Sequence, residues 1–133
     1  MRPGPLPLVL LPVLLAACIA DESLTAYGAA DTVWQLETLD GAPLGAPATV
    51  EFPEPGQIAG QAPCNRFFGE QRAPYPWFEV GPLAATRMAC PDLDKEQNFL
   101  AALAAMTEAE VAGDILILRG DGGREMLFRA DAP

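Results

Sequence analysis

Three cysteines are the most reactive side chains in this sequence of 133 residues, and their surroundings limit the chemistry available. They are Cys18, Cys64 and Cys90, and the chain contains no histidine. Without imidazole, Ser-His-Asp and Cys-His nucleophilic arrangements are excluded, and so are zinc sites that need histidine. Only one lysine, Lys95, is present. We therefore expect a protein that is not an enzyme, with no catalytic residues, no metal and no cofactor.

The charge balance of the chain is strongly acidic. Eight Lys and Arg residues stand against eighteen Asp and Glu residues, which gives a net charge of −10 at pH 7. Such a charge repels nucleic-acid phosphates and anionic lipid headgroups, so no nucleic-acid partner is expected. The acidity either serves solubility alone or attracts a cationic protein partner.

The amino terminus has the features of an export signal. Arg2 supplies a positive charge, and the apolar residues 6–17 are interrupted only by prolines. This stretch is too short to span a bilayer, which requires about 20 residues. Its length and the small residues Ala16 and Ala17 are typical of a cleaved signal peptide. An ordinary signal peptide followed by an incidental cysteine is one interpretation.

The string Leu15-Ala16-Ala17-Cys18 resembles the lipobox of bacterial lipoproteins. The resemblance implies cleavage before Cys18 and lipid on its thiol, and two or three acyl chains anchor a protein stably. Residues 1–17 are then a lipoprotein signal peptide, and the small and polar residues 18–32 form a flexible tether. Because Ile19 replaces the aspartate that often signals inner-membrane retention, we expect an anchor in the outer membrane, facing the periplasm.

Residues 33–130 are expected to form one folded domain made mainly of strands. Val33–Leu39 alternates, which predicts a strand with Trp34, Leu36 and Thr38 on one face. The apolar run within Asp114–Arg119 favours a strand that is buried on both faces. Other predicted strands are Thr49–Phe52, Gln57–Gln61, Phe78–Leu83 and Glu125–Arg129.

One segment has helical periodicity. Asp92 is a suitable N-cap for a helix that runs from Leu93 to about Met106, and Glu96 falls on or beside its apolar stripe. That stripe consists of Leu93, Phe99, Leu100, Leu103 and Met106. We therefore predict a mainly β (α+β) fold, in which a small antiparallel β-barrel-like sheet carries one packed α-helix.

Cys64 and Cys90 remain as an even pair once Cys18 is assigned to the lipid. In an oxidising compartment a disulfide is the expected state of such a pair. It would close a loop of roughly 25 residues and contribute about 3 kcal/mol. Two buried free thiols and a redox pair are the alternatives, although the sequence contains no CxxC.

The strings around these two cysteines are distinctive. Cys64-Asn65-Arg66-Phe67-Phe68-Gly69 and Thr86-Arg87-Met88-Ala89-Cys90 together resemble the META domain, the family of the heat-shock protein HslJ, and the likeness extends over residues 33–129. The family implies a small barrel-like fold with one helix, often carried by lipoproteins, and no established chemistry. Pro63 and Gln71 depart from the family pattern, which alters the expected geometry of the loop around Cys64.

The polar residues near the cysteines have two interpretations. Either they form a surface for a ligand or partner, or they form a hydrogen-bonded structural network in which Asn65 satisfies a tight turn. We favour the second, and we predict that Arg87 or Arg66, most simply Arg87, pairs with Glu96, because a buried carboxylate needs a partner. The motif residues are Asn65, Arg66, Gly69, Thr86, Arg87, Met88 and Glu96.

The segment Tyr75-Pro76-Trp77 is the candidate contact loop, because it lies among prolines and presents large aromatic side chains. For the whole chain we expect a non-enzymatic envelope lipoprotein that supports stress tolerance. A binding or inhibitor module against a basic envelope-active enzyme is the alternative. An enzyme with paired carboxylates is disfavoured, because no acidic pair has a recognisable helper. The expected contacts are the membrane, through Cys18, and an unidentified envelope protein.

Overall fold

The computed structural model describes residues 2–10, 12 and 21–131. The predicted lipobox, residues 15–18, lies outside them. One α-helix, α1, covers Leu93–Ala105. The strands are β1 (Trp34–Leu39), β2 (Thr49–Val50), β3 (Gln57–Gln61), β4 (Arg66–Glu70), β5 (Ala84–Ala85), β6 (Met106–Ala112), β7 (Ile115–Gly120) and β8 (Arg124–Ala130). In the described ranges, no helix combines the length and the apolar character needed to cross a membrane.

The strands form two antiparallel sheets. A curled five-stranded half-barrel has the order β2-β1-β8-β7-β6, and a smaller sheet has the order β3-β4-β5. The sheets meet where Glu51 and Ala59 exchange backbone hydrogen bonds of 2.8 and 3.0 Å. The predicted fold class, mainly β with one packed helix, is confirmed.

Strand β1 departs from strict alternation. Trp34 is buried, Leu36 is half-buried, and the pairing with β8 shifts register between Leu36 and Thr38. Such a bulge re-aims the side chains that follow it. Leu39 is therefore buried in the core, whereas Thr38, predicted to share a face with Trp34, is only half-buried.

Strand β7 is fully buried on one face only. Leu116 and Leu118 have no exposed surface, while Ile115 and Ile117 are half-buried. The prediction of burial on both faces is therefore wrong. A continuous apolar run does not reveal which face of a strand will be covered, since that depends on elements distant in sequence.

Helix α1 packs through the centre of its predicted stripe. Phe99 and Leu103 are fully buried, and the Phe99 ring meets Phe67 of β4 edge-on, with ring centroids 5.9 Å apart. Leu93 is 37% exposed, so the stripe does not extend to the first turn. Met106 is buried as predicted, but as the first residue of β6, which follows the helix without a loop.

The sequence patterns misplace some strands. Phe78–Leu83 is not a strand, and Val80 makes only an isolated bridge to Gln71. Strands β4, β5 and β6 have no counterpart in the predictions. The sequence of β6, MTEAEVA, is rich in Ala and Glu, which have low β propensity, so its pairing with β7 decides its conformation.

The folded part of the chain begins before Val33, the predicted boundary. Leu24 and Ala29 are buried in the common core, and a π-helical turn covers Thr25–Ala29. The ring of Tyr27 stacks on Tyr75 with centroids 4.3 Å apart. Residues 24–29, assigned to the flexible tether from composition, are thus packed against the domain.

Candidate functional site

The disulfide between Cys64 and Cys90 joins the two distinctive strings. Their Cα atoms are 5.7 Å apart, within the usual range for a disulfide, and the cysteines are 26 residues apart in the chain. Cys64 lies just before β4, and Cys90 lies just before α1. The predicted disulfide is confirmed, and it holds the start of the helix against the start of the strand.

Glu96 is the buried centre of this region, with 4% of its surface exposed. Its Oε1 accepts hydrogen bonds from the backbone N–H groups of Cys64, at 3.0 Å, and Asn65, at 2.7 Å. Its Oε2 accepts a third from Asn65 Nδ2, at 2.7 Å. Because a buried carboxylate needs donors, these bonds explain why an acidic residue is tolerated on an apolar helix stripe.

Asn65 connects Glu96 to the second string. Its Nδ2 also donates to the Met88 carbonyl oxygen, at 3.0 Å, and its Oδ1 accepts from the Met88 backbone N–H, at 2.6 Å. The Thr86 hydroxyl donates to the same Oδ1, at 3.0 Å. The side-chain amide thus uses both donor hydrogens and both acceptor positions. We call these residues, Asn65, Thr86, Met88 and Glu96, the Asn65–Glu96 network.

The predicted pairing of Glu96 with an arginine is wrong. Arg66 instead lies 3.3 Å from Glu51 across the junction of the two sheets. Arg87 is exposed and forms no ion pair with the described residues. Backbone N–H groups and an amide satisfy the carboxylate instead, because the disulfide brings the turn at Cys64 directly over the helix.

The remaining motif residues support the same junction. Arg66 N–H donates to the Thr86 hydroxyl, at 3.2 Å, and Thr86 N–H donates to the Arg66 carbonyl, at 3.0 Å. A Cβ added to Gly69 would lie 2.9 Å from Leu83 Cδ2 and 3.1 Å from the Pro82 carbonyl oxygen. The glycine thus allows β4 to pass close to the segment that leads into β5.

Gln71, which departs from the family pattern in sequence, forms a second set of buried hydrogen bonds. Its Oε1 accepts from Ala73 N–H, at 2.7 Å, and from Glu79 N–H, at 3.3 Å, while its Nε2 donates to the Ala73 carbonyl, at 2.9 Å. The amide therefore closes the loop that contains Tyr75 and Trp77, a role that an aromatic side chain could not perform.

A mainly apolar groove of about 330 Å³ lies over the Asn65–Glu96 network. Met88 is its most prominent side chain, with 67% of its surface exposed. The groove is lined by Asn65, Thr86, Arg87, Met88, Ala89, Leu93, Glu96, Gln97 and Leu100. The helical pattern did not predict this groove, because it places Leu93 and Leu100 on the apolar stripe that faces the core.

The two aromatic residues of the candidate contact loop have different surroundings. Tyr75 is half-buried, and its hydroxyl accepts a hydrogen bond from Val111 N–H, at 3.2 Å. Trp77 is 56% exposed. Of the pair, Trp77 is therefore the residue available to another molecule, while Tyr75 holds its own loop against β6.

The chemistry of these sites is that of hydrogen bonding and apolar contact. The polar atoms of Asn65 and Glu96 are already engaged within the protein. In the part of the chain that the structure describes, no cluster of His, Cys, Asp or Glu has the arrangement of a metal site. The arrangement is suited to holding two chain segments together beneath an exposed groove.

A family model described as "META domain" matches residues 24–133 of the chain. The match begins at Leu24, which is also the first described residue that is buried in the core. No curated protein matches the sequence significantly.

Solved structures share the fold. A protein from Burkholderia xenovorans, determined by NMR, superposes with a TM-score of 0.64 and 24% identity, with 100% of each chain covered. A second NMR structure has a TM-score of 0.57 and 26% identity, covering 74% of this chain and 87% of the other. A DUF4847 family protein from Bacteroides vulgatus has a TM-score of 0.62 at 12% identity, covering 78% of this chain and 94% of the other.

Proposed function

This chain belongs to the META domain family, and on that premise we propose that it is a non-enzymatic lipoprotein of the bacterial cell envelope. In this proposal Cys18 carries the lipid anchor, and the domain faces the periplasm from the outer membrane. There it supports the tolerance of the envelope to stress, in the manner of an HslJ-like protein.

The observation that carries the non-enzymatic part is the Asn65–Glu96 network. Glu96 is the buried carboxylate of the distinctive strings, and its two oxygens accept hydrogen bonds from Cys64 and Asn65. A general acid or base must be free to exchange a proton with a substrate. Glu96 instead holds the turn at Cys64 on the helix, which favours a structural role for these strings.

Two features support the envelope location. The string that ends at Cys18 has the form of a lipobox, and the Cys64–Cys90 disulfide is a bond that persists in oxidising compartments such as the periplasm. The two features are independent, because the lipobox lies outside the folded domain.

The test is a deletion strain complemented with the wild-type gene or with Cys18→Ser. We expect the deletion strain to be sensitised to heat and to drugs that act on the envelope, the wild-type gene to restore tolerance, and Cys18→Ser to fail. Membrane fractionation and the mass of the amino-terminal fragment establish whether Cys18 carries lipid. Unchanged tolerance in the deletion strain would remove the stress role, and a soluble, unmodified protein would remove the anchor.

A second candidate function, binding or inhibition of a basic envelope-active enzyme, is favoured by the charge on the surface. The basic residues Arg66, Arg72, Lys95, Arg119, Arg124 and Arg129 are all used in ion pairs. Exposed carboxylates that form no ion pair with the described residues are Asp21, Glu22, Asp31, Glu54, Glu79, Asp94, Glu108, Asp121 and Asp131. This excess of acidic groups would steer a cationic protein towards the domain.

Affinity capture from membranes with the anchored protein separates this candidate from the first. A basic partner should be released as salt rises, because the screening length falls from about 10 Å at 0.1 M to about 3 Å at 1 M ionic strength. Capture of an acidic protein, or of a partner that resists high salt, would contradict an electrostatic binding module.

A further inference from the structure

The chain leaves the domain beside the loop that contains Trp77. The backbone N–H of Tyr75 donates a hydrogen bond of 2.7 Å to the carbonyl oxygen of Glu22, which fixes Glu22 against this loop. Three residues of chain, Ile19 to Asp21, lie between Cys18 and Glu22, so four Cα–Cα steps connect them. Since an extended residue spans at most about 3.6 Å, the chain that connects Glu22 to Cys18 has a maximum length of about 14 Å.

Trp77 is exposed on a loop whose backbone is held in place. Its neighbours Pro76 and Phe78 bond to β6, where Ala109 N–H donates to the Pro76 carbonyl, at 2.7 Å, and Phe78 N–H donates to the Thr107 carbonyl, at 2.8 Å. The exposure of the indole therefore belongs to an ordered loop. A Trp ring combines a large apolar surface with one N–H donor, which is the character that prefers the boundary between lipid and water.

Tyr27 adds a second exposed aromatic ring beside the loop that contains Trp77. It is half exposed, and it stacks on Tyr75 at 4.3 Å within the segment that leads back towards Cys18. We call the residues Tyr27, Tyr75 and Trp77 the aromatic surface. It combines proximity to the anchor with exposed rings.

The charges around the aromatic surface indicate which headgroup charge the membrane should have. A shallow cavity of about 270 Å³ beside Trp77 is lined in part by Glu108, Glu110 and Arg119, and Arg119 is paired with Glu110 at 2.9 Å. Glu108 and Glu22 are exposed and form no ion pair with the described residues. Negative groups are repelled by anionic headgroups, so this face is suited to a zwitterionic leaflet.

We propose that the aromatic surface lies on the leaflet in which Cys18 is anchored, with the Trp77 indole at the level of the headgroups. This contact fixes the orientation of the domain, so that the lipid anchor does not act as a free tether. The inference rests on the proposed lipidation of Cys18, and it adds a second point of contact with the membrane.

The test uses the full lipidated protein, purified from membranes and reconstituted into phosphatidylcholine vesicles with or without brominated acyl chains. Trp77 and Trp34 are the two tryptophans of the chain, and Trp34 is buried in the core. We expect brominated lipid to remove about half of the total emission, because an interfacial indole approaches the acyl chains. In Trp77→Phe, the remaining emission from Trp34 should not change.

A matched control moves the exposed indole to the other sheet. In the double variant W77F/F68W the new indole replaces Phe68, which is 62% exposed on β4, and we expect no quenching there. Equal quenching in this variant, or no quenching at Trp77 in a protein whose amino-terminal fragment carries lipid, would overturn the proposed contact alone. A fragment without lipid would overturn the anchor and the contact together.

Discussion

At the scale of single residues, the buried side chains of Glu96 and Asn65 explain why two distant strings of the sequence meet. Glu96 accepts hydrogen bonds from the turn at Cys64 and from Asn65. The Asn65 side chain in turn is hydrogen-bonded to Met88 and Thr86. Each bond links residues at least 21 positions apart in the chain. The residue types were recognisable in the sequence as polar and close to cysteines, whereas their partners depend on how the helix approaches β4.

The first prediction concerns Glu96→Gln, which replaces one acceptor oxygen with a donor. One of the N–H groups from Cys64 or Asn65 would then face an NH₂ group, so a buried donor loses its partner. Such a loss costs about 1–3 kcal/mol, and we expect the free energy of unfolding to fall by that amount in denaturant titrations.

Arg87→Ala is the matched control for this variant. The Arg87 side chain is exposed and forms no ion pair with the described residues, so its removal should change stability by no more than about 0.5 kcal/mol. If the two substitutions destabilised the domain equally, the result would support the predicted Arg87–Glu96 ion pair and contradict the hydrogen-bond network seen in the structure.

The second prediction concerns Asp40, whose carboxylate joins the turn after β1 to the start of β8. Hydrogen bonds from the Arg124 guanidinium, at 2.9 and 3.1 Å, and from Glu125 N–H, at 3.0 Å, hold the pKa of the Asp40 carboxyl below its ordinary value of 3.8. Because the folded state favours the ionised form, the stabilisation is present above that value and is lost as the pH falls through the lowered pKa.

Asp40→Asn should therefore unfold more easily than the wild type at neutral pH, and the difference should shrink in acid, well below pH 3.8. Denaturant titrations at both pH values measure the effect, and an NMR titration of the carboxyl carbon reports the pKa directly. A difference that grows as the pH falls would contradict this sign.

At the scale of elements, close contacts between strands determine positions that propensity leaves open. Gly60 of β3 lies where the two sheets join, and a Cβ there would collide with the Thr49 carbonyl oxygen and the Phe67 ring. The sequence indicated a strand at this position, but not why its fourth residue is glycine. The reason is a contact with β2 and β4, which no local pattern contains.

The third prediction is that Gly60→Ala destabilises the domain by about 1–3 kcal/mol, the usual cost of forcing extra volume into a packed interior. A thermal melt followed by circular dichroism should show a lower midpoint than that of the wild type, while the circular dichroism spectrum of the folded protein at low temperature should be unchanged. Gln57→Ala, which alters an exposed side chain at the start of the same strand, serves as the control and should be nearly neutral. If the melting midpoint of Gly60→Ala matched that of the wild type, β3 would have to move away from Thr49 and Phe67 at no cost in stability, which would contradict the prediction.

At the scale of the whole molecule, the folded domain and the proposed anchor are separated by less chain than composition suggests. Leu24 and Ala29 are part of the core, and Glu22 is bonded to the loop at Tyr75. The domain therefore begins close to the cysteine expected to carry lipid. This proximity is what makes a defined orientation on the membrane possible.

The fourth prediction is that Leu24→Ala destabilises the domain by about 2–4 kcal/mol, as expected for truncation of a buried leucine. Leu24 has only 2% of its surface exposed. Chemical denaturation of the mature protein measures the effect. Glu22→Ala is the control. Because Glu22 accepts its hydrogen bond through the backbone carbonyl, removal of the side chain should leave stability nearly unchanged. Unchanged stability in Leu24→Ala would show that this segment is a tether after all.

Features that depend on neighbouring residues were predictable from the sequence alone. Alternation identified β1 and β3, helical periodicity identified α1 to within about one residue, and the even pair of cysteines identified the disulfide. These features are local or combinatorial, so one sequence contains enough information to predict them. The cysteine-containing strings likewise indicated the family through their order and spacing.

Which polar groups satisfy one another across the fold depends on how distant segments pack, and the sequence patterns did not predict it. The carboxylate of Glu96 was placed correctly on the helix stripe but assigned to the wrong partner, because an arginine and a backbone turn are equally plausible donors in sequence. Strand β6 and the packing of Leu24 depend in the same way on surfaces supplied by β7 and the core. Pairing and burial are properties of distant segments, and they exist only once the chain has brought those segments together.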